Sequence, residues 1–110
     1  MRQYLLDEIR QQEMVAIRFY LKERTTPSAL DEIFWLEIPK DLLSPVQWEH
    51  HDCGPHYLAI EVGKDFLKFE FLVRSQKRFR CDCIEYATAS QEDFLMAFAR
   101  RLIQDLDLNT

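Results

Sequence analysis

The stretch from His56 to Arg74, HYLAIEVGKDFLKFEFLVR, decides the fold of this chain. It contains two sets of apolar residues at every second position, namely Leu58, Ile60 and Val62, and then Leu67, Phe69, Phe71 and Val73. A period of two indicates strands that each bury one face. A two-residue loop at Gly63-Lys64 pairs Ile60 with Leu67 and places both sets on one face, and Gly63 suits a type II′ turn. The stretch therefore predicts an antiparallel hairpin.

Further strands are predicted from similar patterns on either side of this hairpin. Residues 78–86 (RFRCDCIEY) follow it after a connection at 75–77 and predict a third antiparallel strand. Residues 31–38 (DEIFWLEI) predict a strand that ends at Pro39. Residues 14–21 (MVAIRFYL) fit either a strand or an extension of the first helix, and their β-branched and aromatic content favours the strand.

Three helices are predicted from apolar spacing and from residues typical of helix ends. Residues 3–12 (QYLLDEIRQQ) predict a short N-terminal helix. Ser44 suits an N-cap and is followed by proline, which predicts a helix over 45–52. Ser90 suits a second N-cap, and the apolar stripe over 91–106 is the clearest amphipathic pattern in the chain.

Together these segments predict a single domain over residues 1–110 with an α+β fold. The predicted sheet is mostly antiparallel and has four to five strands. The long C-terminal helix is expected to pack on one face of the sheet, and the N-terminal helix is shorter. The predicted order is α-β-β-α-β-β-β-α.

Composition and charge restrict the classes of function. The net charge is −5, which disfavours binding to nucleic acid or to an anionic membrane surface. No apolar run approaches the length of a membrane span, and residues 1–8 lack the apolar core of a signal peptide. With 3 cysteines, an odd number, the chain is expected to keep its thiols reduced in the cytoplasm.

All histidines and cysteines of the chain lie between His50 and Cys83. They are its soft metal ligands and its proton carriers near neutral pH. His50, Cys53 and His56 form the candidate metal site, with zinc as the metal considered, and Cys81 and Cys83 offer a further pair of ligands. The alternative function is therefore a metal-binding or small-ligand-binding protein that uses the segment from His50 to His56 and the cysteines.

The predicted strand register keeps the two groups of ligands apart. It sets His56 beside Phe71, and Phe71 beside Cys81, so that His56 and Cys81 lie two strands or about 9–10 Å apart. Cys81 and Cys83 are then expected to be small buried residues that face the last helix, because free cysteine is among the most buried residue types.

A thiol-dependent enzyme centred on Cys53 is a third hypothesis, with His50 or His56 as the base. The predicted helix places Cys53 at a helix C-terminus, where the dipole raises a thiol pKa. The sequence has no Gly-x-Ser-x-Gly elbow and no glycine-rich phosphate loop. These observations favour a protein without catalytic activity, and no catalytic residue is assigned.

The leading hypothesis is a protein-binding or homodimerising domain. The sheet face opposite the predicted core is too apolar for a solvated surface, so that either the first helix or another chain covers it. A basic stretch lies near the tip of the last predicted hairpin and could steer an acidic partner. The candidate binding residues are Tyr20, Trp35, Tyr57, Arg74, Lys77, Arg78 and Arg80.

Overall fold

A computed structural model describes residues 2–30, 32–77 and 80–108 of the chain. Its strands are β1 (Gln3–Leu6), β2 (Thr26–Pro27), β3 (Ile33–Glu37), β4 (His56–Val62) and β5 (Leu67–Ser75). Its α-helices are α1 (Gln11–Arg24), α2 (Pro45–Glu49) and α3 (Ala89–Asp105). Short 3₁₀ turns occupy Lys40–Leu42 and His51–Cys53.

The strands form one five-stranded sheet in the order β1-β5-β4-β3-β2, and every neighbouring pair is antiparallel. The α+β class, the antiparallel sheet, the long C-terminal helix and the shorter N-terminal helix are therefore confirmed. Within the described residues, no helix has the length and hydropathy that a membrane-spanning segment requires.

The central hairpin confirms the predicted faces but not the predicted register. Ile60 pairs with Phe69 instead of Leu67, because the strands are joined by residues 63–66 instead of a two-residue loop. A shift of two positions keeps both apolar sets on the same face. Gly63 does not adopt the positive φ of a type II′ turn. Its role is steric, since a Cβ atom at Gly63 would lie 1.9 Å from the ring of Phe66.

The N-terminal segment differs from the prediction in both of its elements. Residues 3–6 form an edge strand paired with β5, and residues 14–21 belong to α1 and not to a strand. The carboxylate of Glu13 accepts from the backbone N–H of Arg10 (3.4 Å) at the start of this helix, and the buried positions of α1 then recur with helical spacing. The competing strand pattern at 14–21 arises because α1 also exposes apolar residues, such as Phe19.

The predicted third strand of the meander does not form over residues 80–86, while Arg78 and Phe79 lie outside the described residues. A single bridge joins Leu72 to Tyr86. The N–H of Ile84 donates to the carbonyl of Cys81 (3.0 Å), which closes a turn where a strand would be extended.

Both long helices pack on the same face of the sheet. The hydrophobic core contains the buried residues of α1 and α3 together with the side chains on one face of the sheet, such as Leu58 and Phe69. Tyr20 of α1 contacts the ring of Phe98 in α3 and donates a hydrogen bond to Asp105 (2.8 Å). Tyr20 is therefore a core residue, and its prediction as an exposed anchor on the other face is wrong. The sheet surface opposite the helices is called the second face below.

The helix starts are set by local capping. Ser44 caps α2 as predicted, because its hydroxyl accepts from the N–H of Gln47. The cap of α3 is Thr88 and not Ser90, since the Thr88 hydroxyl accepts from the N–H of Gln91. The predicted helix at 45–52 ends earlier, at Glu49, and the chain continues into a 3₁₀ turn.

Candidate metal centre

Four side chains converge at one end of the sheet. One ligand atom from each of His50, Cys53, Cys81 and Cys83 lies within 4.8 Å of every other. Cys53 and Cys83 are buried, whereas His50 and Cys81 are half-buried. All cysteines of the chain thus meet at one point, and none is joined in a disulfide.

Two distances between these atoms are close to those in a tetrahedral metal site, and all of them are below 4.8 Å. The Sγ atoms of Cys53 and Cys81 are 3.7 Å apart, and the Sγ of Cys81 lies 3.1 Å from the Nδ1 of His50. Ligands about 2.0–2.3 Å from a tetrahedral zinc ion lie about 3.3–3.8 Å from one another. Only small side-chain movements are needed for these groups to enclose one ion.

The first half of the centre is built by the end of α2. His50 is the C-cap of this helix, and its N–H donates to the carbonyl of Val46 (3.0 Å). The N–H of Cys53 donates to the carbonyl of His50 (2.9 Å), so that the 3₁₀ turn folds Cys53 back toward the imidazole. The hydroxyl of Ser75 donates to the carbonyl of Cys53 and ties this turn to the end of β5.

The second half is the segment 80–87, which is held by buried amides. The side chain of Gln47 donates to the carbonyl of Cys83 (3.3 Å) and accepts from Gln91 (2.8 Å). Both glutamines are fully buried. The hydroxyl of Ser44 also donates to Glu85 (2.7 Å). These bonds bring Cys81 and Cys83 to the end of α2, although the two groups are far apart in the sequence.

The three thiols have different proton affinities. Burial raises the pKa of Cys53, and burial together with hydrogen bonding to Cys81 raises the pKa of Cys83 to about 12. Hydrogen bonds from the backbone and the side chain of Cys83 lower the pKa of Cys81 to about 7. Cys81 therefore loses its proton most readily, and a bound cation would favour loss of the others, since metal binding competes with protons for thiolates.

His56 lies outside the group of four ligand atoms. It is the first residue of β4, where it pairs with Ser75 and not with Phe71. Burial is the main cause of its lowered pKa, and its Nε2 has no hydrogen-bond partner among the described residues. His51 is exposed and is also not a member of the group.

The predicted separation of the two ligand groups is wrong. It depended on a strand over 78–86 with β5 between it and β4, and the described part of that segment instead turns toward α2. The useful signal in the sequence was the spacing itself, His50-x-x-Cys53 with Cys81-x-Cys83, since paired short spacings are typical of zinc ligands.

The candidate protein-binding residues do not form one patch. Trp35 and Tyr57 are in contact on the second face, with ring centroids 6.1 Å apart. Arg74 is on the same face and pairs with Glu70 (2.7 Å). Lys77 and Arg80 are exposed in the segment that follows β5, and Arg78 lies outside the described residues.

Comparison with known proteins does not assign the chain to a group. No family model, no curated protein and no solved structure matches it.

Proposed function

We propose that this chain is a zinc-binding protein in which His50, Cys53, Cys81 and Cys83 hold one ion. The observation that carries the proposal is the convergence of these four ligand atoms within 4.8 Å. A set of three cysteines and one histidine is a common ligand set for structural zinc. This set gives the tetrahedral environment that zinc prefers, whereas magnesium, calcium and manganese favour oxygen ligands.

The arrangement favours a structural role for the ion over a catalytic one. Catalytic zinc sites use three protein ligands and keep one position for water or substrate, whereas here the chain supplies four. Between Arg80 and Ala87 the described chain forms no helix and only one isolated bridge. An ion would fasten this segment to the end of α2, and its binding free energy would contribute to folding.

Metal analysis of the full chain, purified without a polyhistidine tag, tests this proposal. We expect about one zinc ion per chain. The variant His50→Ala should lose most of this zinc because it removes a ligand. The matched control is His51→Ala, which removes the adjacent, exposed imidazole and should retain the zinc. Zinc, iron and copper that all remain far below one per chain would refute the proposal, as would equal zinc loss in both variants.

The thiol-enzyme hypothesis receives less support from this geometry. A reactive cysteine is accessible and has a depressed pKa, whereas Cys53 is buried and its pKa is raised. Normal rates of Cys53 alkylation at pH 7 would count against a nucleophilic role.

A second candidate function is self-association through the second face of the sheet. Ile33 and Trp35 are half-buried and line clefts on this face, whereas Tyr57 beside them is buried. Two ion pairs lie on it, Lys68 with Glu61 (2.9 Å) and Arg74 with Glu70 (2.7 Å). A second copy could therefore approach without like-charge repulsion, as a symmetric contact requires.

Light scattering tests self-association directly. We expect a dimer mass for the native chain and a monomer mass for Trp35→Glu, because a carboxylate would be buried in the contact. The control Phe19→Glu changes an exposed aromatic residue on α1 and should remain dimeric. A native chain that stays monomeric at high concentration would refute this candidate.

A further inference from the structure

Two thiols of the candidate metal centre are close enough to be oxidised together. The Sγ atoms of Cys53 and Cys81 are 3.7 Å apart, and neither residue is in a disulfide. The sulfurs of a disulfide are about 2.05 Å apart, so these two need to approach by less than about 2 Å. The same pair is therefore positioned to share a cation or to form a covalent bond.

The three cysteines differ in their access to solvent. Cys53 is 2% exposed and Cys83 is fully buried, whereas Cys81 is half-buried. Because oxidation of a cysteine depends on its exposure, a small oxidant in solution attacks Cys81 first. Cys53 then lies in position to react with the oxidised sulfur of Cys81.

The segment that carries Cys81 has few bonds that oppose this approach. Between Arg80 and Ala87 the described chain forms no helix and only one isolated bridge. Within this segment, Gln47 holds Cys83 through its carbonyl (3.3 Å). Cys81 is therefore less firmly held than Cys83, and its side chain can turn toward Cys53.

We infer that the metal centre is sensitive to oxidation, and that a peroxide joins Cys53 to Cys81 in a disulfide and releases the zinc ion. This inference rests on the proposed function, since it needs a bound ion to release. Oxidation removes two of the four ligands, and His50 and Cys83 alone are too few for the tetrahedral set of a structural zinc site. The centre would hold zinc under reducing conditions and release it under oxidising ones.

The oxidation consumes one peroxide molecule and transfers two electrons. The Cys81 thiolate attacks one peroxide oxygen, the O–O bond breaks and hydroxide leaves, which produces a sulfenic acid. The Cys53 thiolate then attacks the sulfur of Cys81, and the S–O bond breaks with loss of a second hydroxide. Both hydroxides take protons from the solvent and become water. Each sulfur has lost one electron, and the peroxide has gained two.

Hydrogen peroxide treatment of the zinc-loaded full chain tests this inference. We expect release of about one zinc ion per chain to a chromogenic chelator, and a metal-free mass lower by about 2 Da because two thiol hydrogens are lost. A protease that cleaves before Asp82 separates Cys81 from Cys83, so that mass spectrometry shows which of them is joined to Cys53. Dithiothreitol with added zinc should restore the thiols and the bound ion.

Two serine variants, both measured as zinc-free chains, test which thiols react. Cys81→Ser should form no disulfide with peroxide. The matched control Cys83→Ser removes the other cysteine of the same segment and should still join Cys53 to Cys81. If either variant does not fold, the peptide map of the native chain still identifies the pair.

Three results would overturn the inference. They are retention of zinc after peroxide treatment, a disulfide that mainly involves Cys83, and oxidation of Cys81 to a sulfinic acid without a disulfide. Each can be observed in a chain that binds zinc, and each would leave the proposed function intact. Failure of the proposed function is seen separately, as a lack of zinc before any peroxide is added.

Discussion

At the scale of single residues, steric contacts and the hydrogen bonds of buried polar groups explain why particular residue types occupy their positions. Composition alone does not explain them. Gly63 is required because Phe66 occupies the space of a side chain, and not because the backbone adopts a left-handed conformation. Gln47 and Gln91 are polar but fully buried, since they satisfy each other and the carbonyl of Cys83. Neither role is visible in the hydropathy pattern.

The variant Gly63→Ala tests the steric role of this position. We expect it to lower the free energy of unfolding by about 1–3 kcal/mol, because the ring of Phe66 has to move. Chemical denaturation measures this change, with Lys64→Ala as an exposed control in the same loop. A Gly63→Ala variant as stable as the control would show that the loop accommodates a side chain.

At the scale of elements, helix caps and strand partners decide where helices and strands begin and end. The spacing of apolar residues leaves these ends uncertain. The stripe of α3 is evident in the sequence, yet its first residue depends on which hydroxyl accepts from the N–H of Gln91. The strand β1 exists because β5 offers an edge between Leu67 and Glu70. A segment of four residues has too little pattern of its own to predict such pairing.

The cap of α3 provides a prediction at this scale. We expect Thr88→Ala to cost about 1 kcal/mol of stability because it removes the N-cap acceptor. Ser90→Ala changes an exposed hydroxyl inside the first turn and should cost less than about 0.5 kcal/mol. Thermal and chemical denaturation of both variants measures the difference. A larger loss of stability in Ser90→Ala than in Thr88→Ala would show that Thr88 is not the N-cap.

At the scale of the whole molecule, the candidate metal centre joins two parts of the chain that lie on either side of the β4–β5 hairpin in the sequence. His50 and Cys53 precede the β4–β5 hairpin, whereas Cys81 and Cys83 follow it. An ion at this point would close a loop that includes the hairpin. Its stabilising effect should therefore be largest outside the sheet, in the segment 80–87.

Zinc removal tests this effect. We expect a chelator to lower the melting temperature by about 5 °C or more, because bound zinc stabilises the folded state by mass action. Amide hydrogen exchange should become faster in residues 80–87 and change little in the core of β4 and β5. Added zinc should reverse both effects. Unchanged melting and exchange after verified zinc loss would contradict a structural role.

The sequence by itself determined the fold class and the buried faces of the central strands. The alternation of Leu58 and Ile60, and of Leu67 and Phe69, specifies which side of each strand is apolar. An error of two positions in register leaves those faces unchanged. The stripe of α3 and the cap at Ser44 are equally local signals, and both are found in the structure.

Only the tertiary structure decided how the histidines and cysteines are combined. His50 and Cys81 meet because residues 80–84 turn toward α2, and the chain pairs with β5 only around Tyr86. That turn depends on long-range hydrogen bonds, such as that from Gln47 to the carbonyl of Cys83, which no local pattern encodes. The separation of His56 from the metal centre is also decided by tertiary structure, since the register of β4 with β5 places it beside Ser75.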